Sequence, residues 1–471
     1  MRSAMAQYRI GQAILSPEQP DFDQMLGSAY NSRLRPICQC VGDPGVPMYI
    51  VQINGRFWLK RMPNTGRQHA IGCASWEMPE EFSGRSDLYG SGLTYDEDKI
   101  KLRLSFPLSR RGSQAPPAAA KSSTDKPSVQ ADIKRLTLRS LLHYLWDEAG
   151  LTKWPGKSTK RNWAFVNESL TIAADGKTVK QGDLQQYLYL PEPWVKEHRE
   201  EIAGRRRERF AATSGSDGKN AHQLLLLIAE VKEIKQAGIG FSTVLFHLPD
   251  CSFIMDQKLH ERLLRHFGRE VRMWTGKSPG HIMIAATFSV SPEGSPQFEE
   301  VSLMFVSEEW IPYENVYELA LIQKLVADKR SFLRLLRYNR PSDAPMPAFL
   351  LTDHGNEPVA LYVIDAEFSL DDRQVEAAAS ASKYEYWVWS SRTHAGAVPT
   401  LPAPLPPTGT SAATASHRDP LSTQSSISNM PKLSGGSVPP VNQPSAAAAN
   451  PAETGAHMSL DVGDPLEVGG R

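Results

Sequence analysis

The sequence predicts an α+β fold with two ordered parts, followed by a disordered C-terminal tail. Apolar residues recur at helical spacing in some segments and alternate at strand spacing in others. Three of the four cysteines lie around a predicted hairpin near the N-terminus. Residues 393–471 are rich in Pro, Ala, Ser and Thr and contain no aromatic residue, so they cannot bury enough apolar surface to fold.

Composition limits the functional classes. The chain has 471 residues, with 52 basic and 52 acidic side chains, so its formal net charge is zero. This balance argues against a polycationic nucleic-acid binder but allows a local basic groove. No apolar run is long enough for a membrane span or a signal peptide, which predicts a cytoplasmic protein without membrane contact. In a reducing compartment, cysteines are expected to be thiols or metal ligands.

Composition also predicts the domain organisation. Residues 111–131 are rich in Ala, Pro and Ser and are typical of a linker. An N-terminal domain is predicted at 1–110, a central α+β region at 132–307 and a C-terminal region at 308–392, with the tail at 393–471. Helical periodicity predicts helices at 136–146, 161–174, 255–267 and 318–325. Strands are predicted at 224–235, 243–247, 282–288, 301–306 and 384–389.

An Asn-Gly pair predicts the hairpin in the N-terminal domain. Asn54 and Gly55 separate two β-prone runs at 48–53 and 56–62. A type I′ turn needs positive φ at both central residues, and Asn-Gly meets this requirement best.

Four possible metal ligands flank the hairpin. Cys38 and Cys40 precede it in a segment rich in Gly and Pro, and His69 and Cys73 follow it. The latter two are spaced by four residues on a predicted helix that ends near Pro79. Zinc prefers four nitrogen or sulfur ligands in a tetrahedron. The pattern therefore predicts a structural zinc site in a treble-clef-like domain, and the alternative is a set of buried thiols beside a surface histidine.

The predicted zinc site would carry a net charge that neighbouring side chains could balance. Three thiolates around Zn²⁺ leave about one net negative charge, which Arg61 and Arg67 could offset. Cys251 is distant in sequence and is interpreted as an isolated thiol.

These motifs resemble one bacterial family. The residues Arg-Pro-Ile-Cys-Gln-Cys around Cys38, the run 48–50, the run 60–63 and the His69-x3-Cys73 pair are similar to the domain-of-unknown-function family 1173. That family is noted for three cysteines near its N-terminus, and the resemblance covers about residues 25–392. It implies a plasmid or integrative-element context but no reaction.

The resemblance leads to a first functional expectation. We expect a zinc-binding, non-enzymatic accessory protein whose partner is DNA or a DNA-processing protein. A purely structural protein-interaction module is an alternative.

A second alternative is a Mg²⁺-dependent nuclease. Glu230 and Lys232 lie at the polar end of the strand predicted at 224–235, and Asp217 lies 13 residues before Glu230. Carboxylate-x-Lys at a strand end resembles the second half of a PD-(D/E)xK site, in which the acids bind Mg²⁺ and the Lys orients water. A solvated strand end or an ordinary ion pair would give the same pattern.

The C-terminal region resembles PD-(D/E)xK domains in its predicted order of elements. Glu318 matches the helix acid of that pattern. Ala348 and Tyr362 stand where Asp and Glu are expected, and Ile364 stands where a Lys would help. Without those carboxylates Mg²⁺ cannot bind there, so the resemblance implies a degenerate frame without catalysis. An unrelated sheet covered by helices is the alternative.

Two further features are typical of nucleic-acid contact, although each also has a structural explanation. Arg205, Arg206 and Arg207 form a basic run, which is usually a solvated face. Aromatic side chains at strand spacing can stack on bases or pack in a core. They are Tyr384, Tyr386, Trp387 and Trp389.

Overall fold

The computed structural model describes residues 6–96, 99–110, 135–157, 160–214, 222–365, 371–393 and 397–405. Asp217, the predicted linker and residues 406–471 of the predicted tail lie outside the described residues. The described part contains seven helices and several β-sheets, so the predicted α+β fold is confirmed. None of the helices in this part has an apolar stretch that could cross a bilayer.

Helices and strands are interspersed along the chain. The helices are α1 (Phe22–Asn31), α2 (Leu138–Glu148), α3 (Trp163–Ala174), α4 (Arg199–Ser214), α5 (Gln257–Thr275), α6 (Val316–Ala327) and α7 (Asp372–Ala381). The strands of the first half are β1 (Tyr8–Ile10), β2 (Ala13–Leu15), β3 (Ile37–Cys38), β4 (Val46–Ile53), β5 (Arg56–Arg61), β6 (Leu93–Asp96), β7 (Lys99–Leu102), β8 (Ser109–Arg110), β9 (Lys153–Pro155), β10 (Lys177–Val179) and β11 (Gly182–Asp183). The strands of the second half are β12 (Leu188–Tyr189), β13 (His222–Gln223), β14 (Leu225–Ala237), β15 (Gly240–Leu245), β16 (Leu248–Met255), β17 (His281–Val290), β18 (Pro296–Val306), β19 (Ser331–Arg334), β20 (Phe349–Leu351), β21 (Val359–Ile364) and β22 (Tyr386–Ser390).

The N-terminal sheet has the strand order β2-β1-β3-β4-β5, and α1 packs against it. Strands β4 and β5 form the predicted hairpin, with Ile53 paired to Arg56. Asn54 has φ 50° and Gly55 has φ 77°, as a type I′ turn requires. The hairpin prediction is therefore confirmed.

The prediction of a helix that carries His69 and Cys73 is wrong. Only one 3₁₀ turn, Gly66–Gln68, is present, and His69 is extended with φ −80° and ψ 149°. Gly72 has φ +84°, which a right-handed helix does not allow. The amide of Cys73 donates to the carbonyl of Ala70 at 3.0 Å, so the segment forms a tight turn instead.

The core of the central region includes strands on both sides of the predicted linker. Strands β6 and β7 pair with each other, and β7 runs parallel to β10. Helices α2 and α3 pack on the same core and match two predicted helices. The side chains of Thr137 and Asn162 cap the two helices by accepting hydrogen bonds from backbone amides, as expected for N-cap residues.

The six-stranded sheet closes on itself. Its order is β12-β14-β15-β16-β18-β17, and β14 also pairs with β17. Strands β14, β15, β17 and β18 match the four strands predicted between 224 and 306. The large side chains Phe253, Phe288 and Phe298 are almost fully buried in its core. Helix α5 matches the helix predicted at 255–267 and continues to Thr275.

The C-terminal sheet has the order β22-β21-β20-β19-β9. Elements α6, β19, β20, β21, α7 and β22 follow one another along the chain, and β21 and β22 are parallel. Strand β9 from the central region completes the sheet. The described residues continue into the predicted tail as far as Leu405, which pairs with His354. All described residues lie in one compact unit.

Candidate metal centre

The N-terminal sheet and the turn after it position four potential ligands. Cys38 ends β3, and Cys40 lies in the turn that leads to β4. Gly42 and Gly45 have φ of +80° and +79°, which reverse the chain so that Cys38 pairs with Val46. The turn described above brings in the remaining two ligands from the other side.

The four side chains converge on one point. Their ligand atoms all lie within 4.8 Å of one another. The Sγ atoms of Cys38 and Cys73 are 3.8 Å apart, and Nδ1 of His69 lies 3.4 Å from Sγ of Cys40 and 3.7 Å from Sγ of Cys73. A tetrahedron with bonds of 2.3 Å to sulfur and 2.0 Å to nitrogen predicts spacings of about 3.8 Å and about 3.5 Å. This cluster could hold a metal ion.

Hydrogen bonds to sulfur favour thiolate ligands. The amides of Ala70 and Ser75 donate to Sγ of Cys40 and Cys73, each at 3.4 Å. The hydrogen bond from the Cys38 thiol, with help from His69, holds the pKa of Cys73 below its usual range. The same hydrogen bond and burial raise the pKa of Cys38. One of the thiols is therefore already poised to lose its proton, as metal binding requires.

The two arginines expected to offset the thiolate charge pair with carboxylates instead. Arg61 lies 3.6 Å from Glu77 and 3.4 Å from Glu148. Arg67 lies 2.9 Å from Glu80. No sequence pattern indicated these partners.

The comparisons with known proteins identify the family. A family model described as "Protein of unknown function (DUF1173)" matches residues 8–392. The chain belongs to this family. No curated protein and no solved structure matches the chain. All four potential ligands lie inside the DUF1173 match.

The structure of this DUF1173 chain describes two of the predicted nuclease residues, Glu230 and Lys232. Oε1 of Glu230 lies 2.7 Å from Nδ1 of His281, whose ring stacks on Trp310 at a centroid distance of 4.2 Å. Lys232 is exposed, and the pairing of β14 with β15 shifts register around it. Asp217 lies outside the described residues. Glu230 thus forms a hydrogen bond with His281 that the sequence could not specify.

In the C-terminal region, Arg334 binds Glu318, which is the acid that matches the helix position of the nuclease pattern. Nη2 of Arg334 donates to Oε2 of Glu318 at 2.7 Å, and its Nη1 donates to the carbonyl of Ala348 at 2.9 Å. Glu318 and Arg334 are almost fully buried, as are Tyr362 and Ile364. A guanidinium therefore neutralises Glu318 at the place where the resemblance would put Mg²⁺.

The features typical of nucleic-acid contact are largely occupied by intramolecular contacts. Arg205 pairs with Glu192 at 2.6 Å and Arg206 with Asp250 at 2.7 Å, whereas Arg207 is exposed. Of the aromatic residues, Trp389 is 1% exposed and Tyr386 is 41% exposed. Tyr384 and Trp387 are half-buried.

Sequence reasoning missed one group of charged residues. Arg85, Glu148 and Lys177 lie close together, with ion pairs of 2.9 Å from Glu148 to each of the other two. They are far apart along the chain and follow no known motif, so no sequence signal could have found them.

Proposed function

We propose that Cys38, Cys40, His69 and Cys73 hold one structural zinc ion. The observation that carries this proposal is the convergence of the four ligand atoms within 4.8 Å. Three sulfurs and one nitrogen are a closed ligand set typical of structural zinc, because no fourth position stays open for water. The ion would fasten the turn after β5 to the N-terminal sheet.

The energetic contribution of such an ion is large. Structural zinc contributes about 10–16 kcal/mol of apparent binding free energy in small domains. The segment from His69 to Pro79 contains no helix or strand, so few backbone hydrogen bonds hold it in place. Zinc would supply that stability.

Metal analysis of the purified full chain tests the proposal. We expect about one zinc per chain by mass spectrometry, lost in Cys38→Ser and in Cys73→Ser. The matched control is Cys251→Ser, because Cys251 is also a half-buried free thiol and lies outside the cluster. Absence of zinc in protein purified without chelator, or retention in both cluster variants, would disprove the proposal.

We further propose a cytoplasmic, non-enzymatic accessory role beside the DNA-processing machinery of a plasmid or integrative element. The resemblance to the family supports the context. The pairing of Glu318 with Arg334 supports a role without metal-dependent catalysis, because the only acid matching the nuclease pattern in that region is neutralised.

DNA binding tests this role. We expect wild-type protein to bind labelled duplex DNA with an affinity that falls as salt rises. Tyr386→Ala should weaken binding, whereas Tyr30→Ala should not, although both tyrosines are 41% exposed. No binding at low salt would favour a protein-interaction module. Metal-dependent cleavage of DNA that is lost in Glu230→Ala would replace the accessory role by a nuclease.

A further inference from the structure

A cavity separates the hairpin from the central region. Its volume is about 320 Å³, at the lower end of the range for small-molecule sites. Strands β4 and β5, the segment at 74–78, the C-terminal end of α2, and β9 and β10 line it. None of the four potential metal ligands lines it, so the cavity is a separate feature from the metal centre.

Basic side chains outnumber acidic ones on the cavity wall. Five of them line it: Lys60, Arg61, Arg85, Lys153 and Lys177. The acidic side chains of the wall are Glu77, Asp147 and Glu148, and Asp175 lies 3.4 Å from Nζ of Lys60 just behind it. With all groups ionised, the cavity has one positive charge in excess.

The ion pairs leave part of this positive charge without a carboxylate partner. Arg61, Arg85 and Lys177 share the carboxylates of Glu77 and Glu148. Within the described residues, Lys153 is within ion-pair distance of no carboxylate, and its Nζ donates to the carbonyls of Ala74 and Trp76. An anion in the cavity would balance this charge.

Arg85 also has an unsatisfied donor. Its side chain is 5% exposed, and its Nε is buried without a hydrogen-bond partner among the described residues. A buried donor without a partner costs about 1–3 kcal/mol, and more when the group is charged. Arg85 thus lines the cavity and carries a donor that no described residue satisfies.

The positive charges around the cavity also affect the pKa values of Lys60 and Lys153. Burial and the neighbouring charge of Lys177 lower the pKa of Lys60 to about 8. Burial and Arg61 lower the pKa of Lys153 to about 8. In both cases like charges lie close together in a poorly solvated place, and an anion would relieve the repulsion.

The rest of the wall can accommodate an organic group. Tyr49, Trp76 and Tyr95 line the cavity together with apolar side chains such as Met48 and Ile100. Aromatic rings beside cations are suited to a ligand with a flat ring and a charged end.

We propose that this cavity binds a small organic phosphate, with its phosphate against the basic side chains and its organic part against the aromatic ones. Guanidinium groups match phosphate geometry, because their N–H groups donate in a planar fork. The site is independent of the proposed zinc ion, because their residues differ.

Binding measurements on the full chain test the proposal, with adenosine monophosphate and inorganic phosphate as probes. Calorimetry should detect adenosine monophosphate binding to wild-type protein and weaker binding of inorganic phosphate. Lys60→Met should weaken binding of adenosine monophosphate about tenfold, because it removes one positive charge from the cavity wall. Lys232→Met is the matched control and should bind like wild type, because Lys232 is exposed and away from the cavity.

Three outcomes would overturn the assignment. They are no binding of either probe at millimolar concentration, equal affinity in Lys60→Met and wild type, and binding of inorganic phosphate as tight as that of adenosine monophosphate.

A labelling experiment avoids reliance on the variant if Lys60→Met does not fold. Wild-type protein is acetylated with and without adenosine monophosphate, and modification of each lysine is measured by mass spectrometry. The probe should protect Lys60 several-fold and leave Lys232 unchanged. Equal modification of Lys60 in both samples would contradict the proposal.

Discussion

The buried pair of Glu318 and Arg334 shows how single residues in the C-terminal region depend on each other. The two side chains are 3% and 2% exposed and lie 2.7 Å apart. Arg334→Met would leave the Glu318 carboxylate buried without its counter-charge, which costs about 3–5 kcal/mol. We expect this loss in the free energy of unfolding measured in urea.

Two variants control this measurement. Arg334→Met combined with Glu318→Leu should recover most of the stability, because an apolar pair of similar volume removes the buried charge. Lys324→Met breaks an exposed pair with Asp328 and should cost at most about 1 kcal/mol. A similarly small loss in Arg334→Met would show that the buried pair is not required.

The pKa of Lys60 makes the free energy of unfolding depend on pH. Its pKa is about 8 in the folded protein and near 10.5 in the unfolded chain, because burial disfavours the charged amine. Between these values the unfolded state binds more protons, so this group makes the folded state more stable as pH rises. The free energy of unfolding should therefore increase in wild type relative to Lys60→Met over this range, in phosphate-free buffer. Parallel pH profiles would contradict the assignment.

At the scale of elements, the turn from Ala70 to Cys73 depends on Gly72. Its φ of +84° lies in the left-handed region, and no atom is within 4 Å of an added Cβ, so backbone strain is the only cost of Gly72→Ala. We expect a loss of about 1–2 kcal/mol and weaker zinc retention, because the strain acts on the turn that carries Cys73. Chemical unfolding and metal analysis measure the two effects.

Gly204 provides the matched control. It lies inside helix α4, and an added Cβ there also has no atom within 4 Å. Gly204→Ala should stabilise the protein by about 0.5–1 kcal/mol, because alanine favours the helix. If Gly72→Ala were stabilising too, the positive φ would not constrain the turn.

The two halves of the metal centre differ in how far the sequence could predict them. The hairpin was predictable because Asn54 and Gly55 determine its turn locally. The four-residue spacing of His69 and Cys73 is typical of a helix face, but it also suits a tight turn. Gly72 decides between these structures, since its positive φ excludes the helix. The four candidate residues nevertheless lie together in a cluster that could hold a metal ion.

At the scale of the whole molecule, contacts distant in sequence escaped prediction. The pairing of β14 with β17 closes the six-stranded sheet, but strand periodicity does not specify which strands pair. The cavity likewise combines Lys60 with residues more than a hundred positions away, such as Lys177. No local pattern joins such residues, so only the folded chain reveals the cavity.

At the scale of the whole molecule, we expect the segment at 397–405 to stabilise the fold. Val398 and Leu401 pack against the main core, and Nη1 of Arg330 donates to the carbonyl of Pro402 at 2.7 Å. Arg330 is 5% exposed, so removal of the segment would take away this charged hydrogen bond and uncover part of a buried guanidinium. A chain ending at residue 392 should therefore be about 3 kcal/mol less stable than one ending at 405, from the lost charged hydrogen bond and apolar burial. Urea unfolding of both chains measures the difference.

The ion pair of Asp353 with Arg330 limits how much stability the shorter chain loses. Its carboxylate binds the other two nitrogens of Arg330 at 2.8 Å each, so the guanidinium keeps its counter-charge after truncation. The shorter chain should consequently still fold, with reduced stability rather than a missing transition. Arg330→Met should reduce the stability difference between the two chains, because the hydrogen bond to Pro402 is then absent from both. An unchanged difference would assign the stabilisation to Val398 and Leu401 alone.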